Sequence, residues 1–219
     1  MSDLSAKDLV VFDFDGTLAD TISGIVSTAR TVMHSHGWAD EELGDLRRLV
    51  GPPFPQAFSM VYGLSEEEAA EVTAEYRAIY KGLGPAGWPL FDGVAELLQD
   101  LKEAGKMIGA ASSKRNELLA RGLEDNGVLE LFDCPMGKLN DYGDSKEQAL
   151  GRVLGTLGVG PAAAVMVGDR RFDAEAAAGF GADCVGVLYG GAAPRSELEG
   201  AGCAAIVDTV DELRRVLLG

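Results

Sequence analysis

The sequence predicts an α/β fold, a doubly wound parallel sheet of Rossmann-like type with a small all-helical insert. Three observations predict it. The apolar run Leu9–Phe12 ends in the acidic turn Asp13-Phe14-Asp15-Gly16-Thr17-Leu18, which reads as a buried strand leaving the core. Residues 20–82 carry apolar side chains at helical spacing and nothing that alternates like a strand. From Asp92 onward, helix-like and strand-like segments alternate, the pattern of parallel strands joined by crossover helices. The division that follows is a core of residues 1–18 and 86–219 and a helical cap of residues 19–85.

Each element has its own signal. In Thr21–His36, residues Ile22, Ile25, Val26, Ala29 and Met33 share one helical face. Glu41–Val50 reads as a second helical block, broken by Gly51-Pro52-Pro53, and Pro55–Tyr62 as a short third. Ser65–Lys81 is the fourth, with Ser65 as N-cap and Glu68 as its capping-box partner. Gly82–Gly87 is the return linker. Helices are then expected at Asp92–Ala104, Arg115–Asn126, Ser145–Leu157, Phe172–Phe180 and Thr209–Leu218. Strands are expected at Lys106–Ala111, Ala163–Val167, Asp183–Val187 and Ala204–Val207.

Bulk composition narrows the function. With 219 residues and 47% hydrophobic content the chain can bury a substantial core. A net charge of −16 argues against a nucleic-acid polymer or an anionic membrane as partner, since both select basic surface. No apolar run approaches membrane-spanning length, and the polar start does not resemble a signal peptide. Cys134, Cys184 and Cys203 are odd in number and widely spaced, unlike a zinc site or a disulfide framework, so a reducing cytoplasm is the expected location. A Walker A run is absent, and the one Gly-x-Gly-x-x-Gly run, Gly82–Gly87, falls in the return linker and follows no strand, so neither nucleotide cradle is supported.

Side chains two apart on a strand point the same way, so Asp13 and Asp15 leave the first strand together. Two carboxylates this close repel unless a cation or a shared proton relieves them, and a divalent metal with oxygen ligands does so. One carboxylate free to attack and one free to shuttle protons make a phosphoryl-transfer centre. Ligands of a doubly wound sheet sit at the carboxyl ends of its strands, so the residues after each strand matter. Ser112-Ser113-Lys114 offer hydroxyls and backbone N–H groups for phosphate oxygens, although a serine there also caps a helix. Lys146 opens a helix, where the dipole disfavours a cation unless an anion is near; a solvated lysine is the alternative. Gly168-Asp169-Arg170-Arg171-Phe172-Asp173 puts two acids four apart after a strand, as a hard cation or a helix N-terminus would favour.

Taken together, these stations resemble the haloacid dehalogenase superfamily of aspartate-nucleophile phosphohydrolases, over essentially the whole chain. Asp13-x-Asp15-Gly16-Thr17 looks like its first motif, Ser112 its second, Lys146 its third and Gly168-Asp169-x-x-x-Asp173 its fourth. The resemblance implies Mg²⁺ held by Asp13, Asp169 and the backbone carbonyl of Asp15, with Asp173 in support. It implies Asp13 as nucleophile, Asp15 as acid and base, and Ser112 and Lys146 on the phosphoryl oxygens. Gly16, Thr17, Ser113 and Lys114 then fall to substrate binding, and Ala19–Thr21 and Gly82–Pro89 to the hinges of the cap. Arg47 and Arg48, just before the Gly51 break, are the expected cap contacts to substrate; Gln56, Tyr62 and Arg77 are further candidates. The expected partner is a small phosphate ester.

Within the superfamily the pattern is nearest to phosphoglycolate phosphatases and a 5′-nucleotidase-like branch, both similar at Ser112-Ser113-Lys114. Lys146 is followed by Glu147-Gln148 where phosphoglycolate phosphatases and hexose-phosphate mutases carry Pro-x-Pro. Gly51-Pro52-Pro53 and Gly186-Val187-Leu188-Tyr189-Gly190 look more like the nucleotidase-like branch. A sugar-phosphate mutase is a further alternative. A phospho-accepting receiver module also pairs acids, a hydroxyl and a lysine, but its acceptor follows a mid-chain strand and it lacks a helical insert.

Overall fold

The computed structural model describes residues 3–219. Six strands form one parallel sheet in the order β3-β2-β1-β4-β5-β6. They are β1 Leu9–Phe12, β2 Met107–Arg115, β3 Cys134–Lys138, β4 Ala164–Gly168, β5 Asp183–Val187 and β6 Ala205–Val207. β1 lies in the middle because it is apolar on both faces. Val10 and Phe12 enter one core with Ile108, Val165 and Val167; Leu9 and Val11 enter the other with Met166. Full burial of side chains of this size contributes about 1.5–3 kcal/mol each, so the strand that ends at Asp13 is anchored from both sides.

Helices α5 (Val94–Glu103), α6 (Asn116–Asp125) and α10 (Val210–Leu218) bury their apolar faces in the first core. Helices α7 (Lys146–Leu157) and α8 (Arg171–Phe180) bury theirs in the second. Between β1 and α5 only helical elements occur among the described residues: α1 Ile22–Ser35, α2 Asp40–Leu43, α3 Gln56–Tyr62, α4 Glu66–Lys81 and two 3₁₀ turns at Leu46–Leu49 and Gly84–Gly87. The two connections to this insert run side by side. Asp20 N–H donates to Pro89 C=O at 2.8 Å, and Phe91 N–H to Leu18 C=O at 3.0 Å. At the start of α4, the Glu68 N–H donates to Ser65 Oγ at 3.3 Å and the Ser65 N–H to Glu68 Oε2 at 2.8 Å, the reciprocal cap that the spacing predicts.

Four elements differ from the sequence expectation. Glu41–Val50 is not one helix, because Gly44 takes φ 57° and ψ −141°, which closes α2 and restarts the chain as a 3₁₀ turn. β3 stands where no strand is expected; it is an edge strand, where Pro135 is tolerated. Its register explains Gly137. Ala111 pairs with Met136 and Arg115 with Lys138, so four residues of β2 pass against two of β3. A Cβ on Gly137 would lie 2.6 Å from the Lys114 carbonyl in that bulge. β2 consequently runs on to Arg115, and Ser112-Ser113-Lys114 stand on the strand and not in a strand-to-helix turn. Finally, α9 (Arg195–Gly200) adds a short helix where no periodicity announced one.

Candidate active site

β1 and β4 are neighbours although β2 and β3 lie between them in sequence. The chain changes direction across the sheet there, and open α/β sheets leave a crevice at such a point. Asp13 follows β1, with its N–H on Val167 C=O at 2.9 Å, and Asp169 follows β4. Gly16 has φ +77°, and a Cβ there would collide with the Asp169 carboxylate, so the first acidic turn can press against the second only with glycine. Tyr189, beyond β5, donates its hydroxyl to Thr17 C=O at 2.8 Å and so braces the turn from the far side.

One carboxylate oxygen from each of Asp13, Asp169 and Asp173 lies within 4.8 Å of the other two, and all three residues are buried. Lys146 Nζ donates to Asp13 Oδ2 and to Asp173 Oδ1, each at 2.6 Å. The lysine that opens α7 against its dipole is therefore the partner of two acids. Asp173 Oδ2 accepts the Arg170 N–H at 3.1 Å. Asp13 Oδ1 and both Asp169 oxygens are buried without a hydrogen-bond partner. Three carboxylates thus face one ammonium. Burial, then Asp173 and Asp13, hold the Asp169 carboxyl well above the usual range. Burial raises Asp173 to about 6 against the pull of Lys146. Burial alone would push Lys146 down, but Asp13 and Asp173 outweigh it and hold its ammonium firmly. Unpaired, desolvated oxygens in this arrangement fit a divalent cation with hard oxygen ligands.

The Asp15 carboxylate stands outside this cluster. Its Oδ1 accepts from Lys114 Nζ at 2.7 Å. Ser112 is buried, and its Oγ accepts the Lys114 N–H at 3.3 Å. Asp13, Asp15, Ser112, Ser113 and Lys114 line one side of a cavity of about 60 Å³. Opposite them the insert contributes Leu49, Phe54, Tyr76, Arg77 and Tyr80, and β2 ends in Arg115.

Arg47 and Arg48 are not in this cavity. They face a shallow outer depression with Arg170 and Gly191–Pro194, and Arg47 pairs with its own neighbour Asp45 at 2.9 Å. The physical reason is the break at Gly44, which turns Leu46 and Leu49 into the core and leaves the two arginines outward. The guanidiniums that do line the cavity are those of Arg77 and Arg115, both bound to Asp141. Gln56 reaches the Asp141 carbonyl at 2.8 Å, and Tyr62 donates to Leu43 C=O inside the insert. Sequence reading did not single out Arg115, Asp141, Tyr76 or Tyr80. Arg115 follows Ser112-Ser113-Lys114 directly, so extending the strand would have found it. Asp141 comes from the loop after the unexpected β3 and had no signal.

No helix among the described residues is long and apolar enough to cross a membrane. The family model for haloacid dehalogenase-like hydrolase matches residues 10–187. The chain is 38% identical over 215 residues to a protein of Mycobacterium tuberculosis named tyrosine-protein kinase PtkA, covering 97% of this chain and 73% of that one. It is 31% identical to a 5′-nucleotidase of Pseudomonas aeruginosa, over 83% of this chain and 82% of the other. The crystal structure of a predicted phosphatase from Clostridium acetobutylicum superposes with a TM-score of 0.91 at 31% identity, covering 97% and 98% of the two chains. The acids that follow β1 and β4 thus stand in a chain that belongs to the haloacid dehalogenase-like hydrolases and is a phosphatase among them.

Proposed function

We propose that this protein hydrolyses a small phosphate monoester through a phosphoryl group carried on Asp13, with Mg²⁺ as its metal. The observation that carries the reading is the set of buried, unpartnered oxygens on Asp13 and Asp169 at the open end of the sheet. Asp13, Asp169 and the Asp15 carbonyl, with Asp173 in support, would hold Mg²⁺, which would neutralise charge at the phosphoryl oxygens. Asp13 attacks phosphorus and the ester oxygen leaves. Asp15 gives that oxygen a proton, then takes one from the water that cleaves the acyl phosphate. Ser112 and Lys146 hold oxygens on which charge builds. Gly16 and Thr17 shape the turn that brings Asp13 to the ester, and the insert excludes bulk water.

The cavity supports a phosphoglycolate-like substrate over a nucleoside monophosphate. Its volume of about 60 Å³ is far below the roughly 300–1,000 Å³ of sites that enclose drug-sized ligands. Arg77 and Arg115 bring two guanidiniums to it and share the Asp141 carboxylate, at 2.6–3.2 Å, while Arg115 also reaches the exposed Glu117 carboxylate at 3.2 Å. Arg115 Nε is buried without an acceptor. A short leaving group with its own carboxylate suits that surplus of donors. The test is kcat/KM with Mg²⁺ on 2-phosphoglycolate, ethyl phosphate and a nucleoside 5′-monophosphate. Phosphoglycolate should lead ethyl phosphate by about 10-fold or more, the order expected of a charge-assisted hydrogen bond. Preference for the nucleotide would move the protein to the 5′-nucleotidase reading.

The relative named as a tyrosine kinase favours a second reading, in which a tyrosine hydroxyl and not water takes the phosphoryl group from Asp13. Incubation with γ-labelled ATP separates the two, because this second reading requires label on tyrosine whereas hydrolysis releases it as inorganic phosphate.

A further inference from the structure

Lys114 has no role in the chemistry described above, yet it is one of the most constrained charges in the molecule. Its side chain is 6% exposed. Nζ lies 2.7 Å from Asp15 Oδ1, and the next polar group is the Tyr80 hydroxyl at 3.3 Å. Two rings close around the ammonium, Tyr80 with its centroid at 4.7 Å and Phe14 at 5.4 Å. Burial disfavours the ammonium, but Asp15 and Tyr80 outweigh that and keep it charged.

The parts of this cage come from three places. Asp15 and Phe14 belong to the turn after β1, Lys114 to the bulged end of β2, and Tyr80 to the last helix of the insert. The bulge sets the position of Lys114, whose N–H is tied to Ser112 Oγ and whose carbonyl sits over Gly137. Tyr80 is fixed in turn by Tyr76, stacked at 5.3 Å, and by Trp88 at 5.2 Å. A lysine placed to bind the phosphoryl group would point its ammonium at the acidic cluster, as Lys146 does. Lys114 points at the second aspartate alone.

We infer that Lys114 is a positioning residue for Asp15: it fixes the carboxylate that moves the proton, and Tyr80 of the insert completes the cage that holds it. This inference rests on the acid–base role proposed for Asp15 and departs from the expectation that Lys114 binds substrate. A group that acts only through Asp15 has nothing left to contribute once Asp15 is gone, so the effects of the two must not add.

The experiment is a double-mutant cycle of Asp15→Ala and Lys114→Met, read on an alkyl phosphate and on the rate at which phosphoenzyme formed from p-nitrophenyl phosphate decays. Lys114→Met should lower kcat by about 10–100-fold, the cost of a misplaced catalytic group, with KM moving much less. Adding Lys114→Met to Asp15→Ala should change the decay rate by less than about threefold, within the coupling expected of one unit. Tyr80→Phe, which keeps the ring and removes one hydroxyl, should lower kcat in the same sense by a smaller factor and guards against misfolding of the methionine variant. Losses that multiply in the double variant, or a Lys114→Met effect confined to KM, would return Lys114 to phosphate binding and overturn the inference alone. Normal turnover in Asp15→Ala would remove the acid–base role and the inference together.

Discussion

The two walls of the catalytic cavity obey different rules. On the core wall, Asp13 follows β1 directly and Ser112 stands on β2; Asp169, directly after β4, and Lys146, which opens α7, adjoin Asp13 outside the cavity lining. Asp13 and Asp169 are placed by the continuous parallel register of β1 and β4, whereas Ser112 stands where the register of β2 and β3 shifts. On the insert wall, Phe54 comes from the segment before α3, and Tyr76, Arg77 and Tyr80 come from α4, whose facing is decided by how the insert docks on the core. On the function proposed above, the core wall would carry chemistry common to every ester, and the insert wall what distinguishes one ester from another. Changes on the first should stop turnover whatever the substrate. Changes on the second should re-rank substrates.

The hardest test of that division is Asp13→Asn. It should remove turnover of every ester by at least about 10³-fold, as loss of a nucleophile does, with circular dichroism and the melting transition close to those of the parent. Residual activity that differed between esters would mean that the core wall also selects. Asp15→Ala comes next, with a loss of about 10²–10⁴-fold on alkyl phosphates, whose leaving oxygen needs a proton. With p-nitrophenyl phosphate the first step survives and the second does not. Rapid quench should then show a burst of p-nitrophenol near one per site, and near-normal steady turnover of alkyl phosphates would end the assignment.

The same division explains what could be read from the sequence. Asp13, Asp169 and Asp173 were legible because each follows an apolar strand at fixed spacing, and strand ends in a doubly wound sheet converge whatever the loops do. Lys146 was legible as an anomaly, a cation at a helix start, and its two carboxylates account for it. Lys114 was assigned to phosphate because its side-chain direction depends on a two-residue bulge that no periodicity records. Of the arginines, Arg77 is among the candidates the sequence offers, but Arg47 and Arg48, which adjoin a break, stand ahead of it, and Arg115 falls in an expected helix. Only Gly44 and the Asp141 loop decide which pair faces inward, and both act through tertiary packing. Cys184 and Cys203 likewise looked unrelated at 19 residues apart but lie with their sulfurs 3.7 Å from each other across β5 and the segment entering β6.

A test of the core wall by stability is smaller but separates charge from chemistry. Asp169 keeps two buried, unpartnered oxygens, and burial together with Asp173 and Asp13 disfavours its charge. In metal-free protein this charge is a cost that folding has to carry. Asp169→Asn removes it, and the new amide can donate to the orphan Oδ1 of Asp13. The variant should melt higher than the parent in EDTA by about 2–8 °C, the shift that about 1–2 kcal/mol gives a chain of this size. Mg²⁺ should raise the melting temperature of the parent and leave that of the variant nearly unchanged. An Asp169→Asn protein that melts lower in EDTA and still responds to Mg²⁺ would mean that the cluster balances its own charge and that the metal sits elsewhere.

The smallest effect is expected at the arginines that the sequence favoured, and it sharpens the comparison most. Arg47 is 63% exposed and paired with Asp45 two residues away, in a depression that shares no residue with the catalytic cavity. Exposed pairs of this kind contribute little, because water solvates both partners and holding two long side chains together costs entropy. Arg47→Ala should therefore change kcat/KM by less than about twofold on phosphoglycolate, ethyl phosphate and p-nitrophenyl phosphate alike. Arg77→Met is the control on the same insert. Its guanidinium lines the cavity and makes two bonds to Asp141, at 2.6 and 2.8 Å. It should lower the ratio of kcat/KM for phosphoglycolate over ethyl phosphate by about 10-fold or more, as loss of a charge-assisted hydrogen bond does. If Arg77 serves only to tie the insert to the Asp141 loop, both esters should suffer equally and the ratio should stay fixed. If instead Arg47→Ala moves the ratio, the outer depression takes part in choosing the substrate, and the insert selects through a surface that the closed cavity does not include.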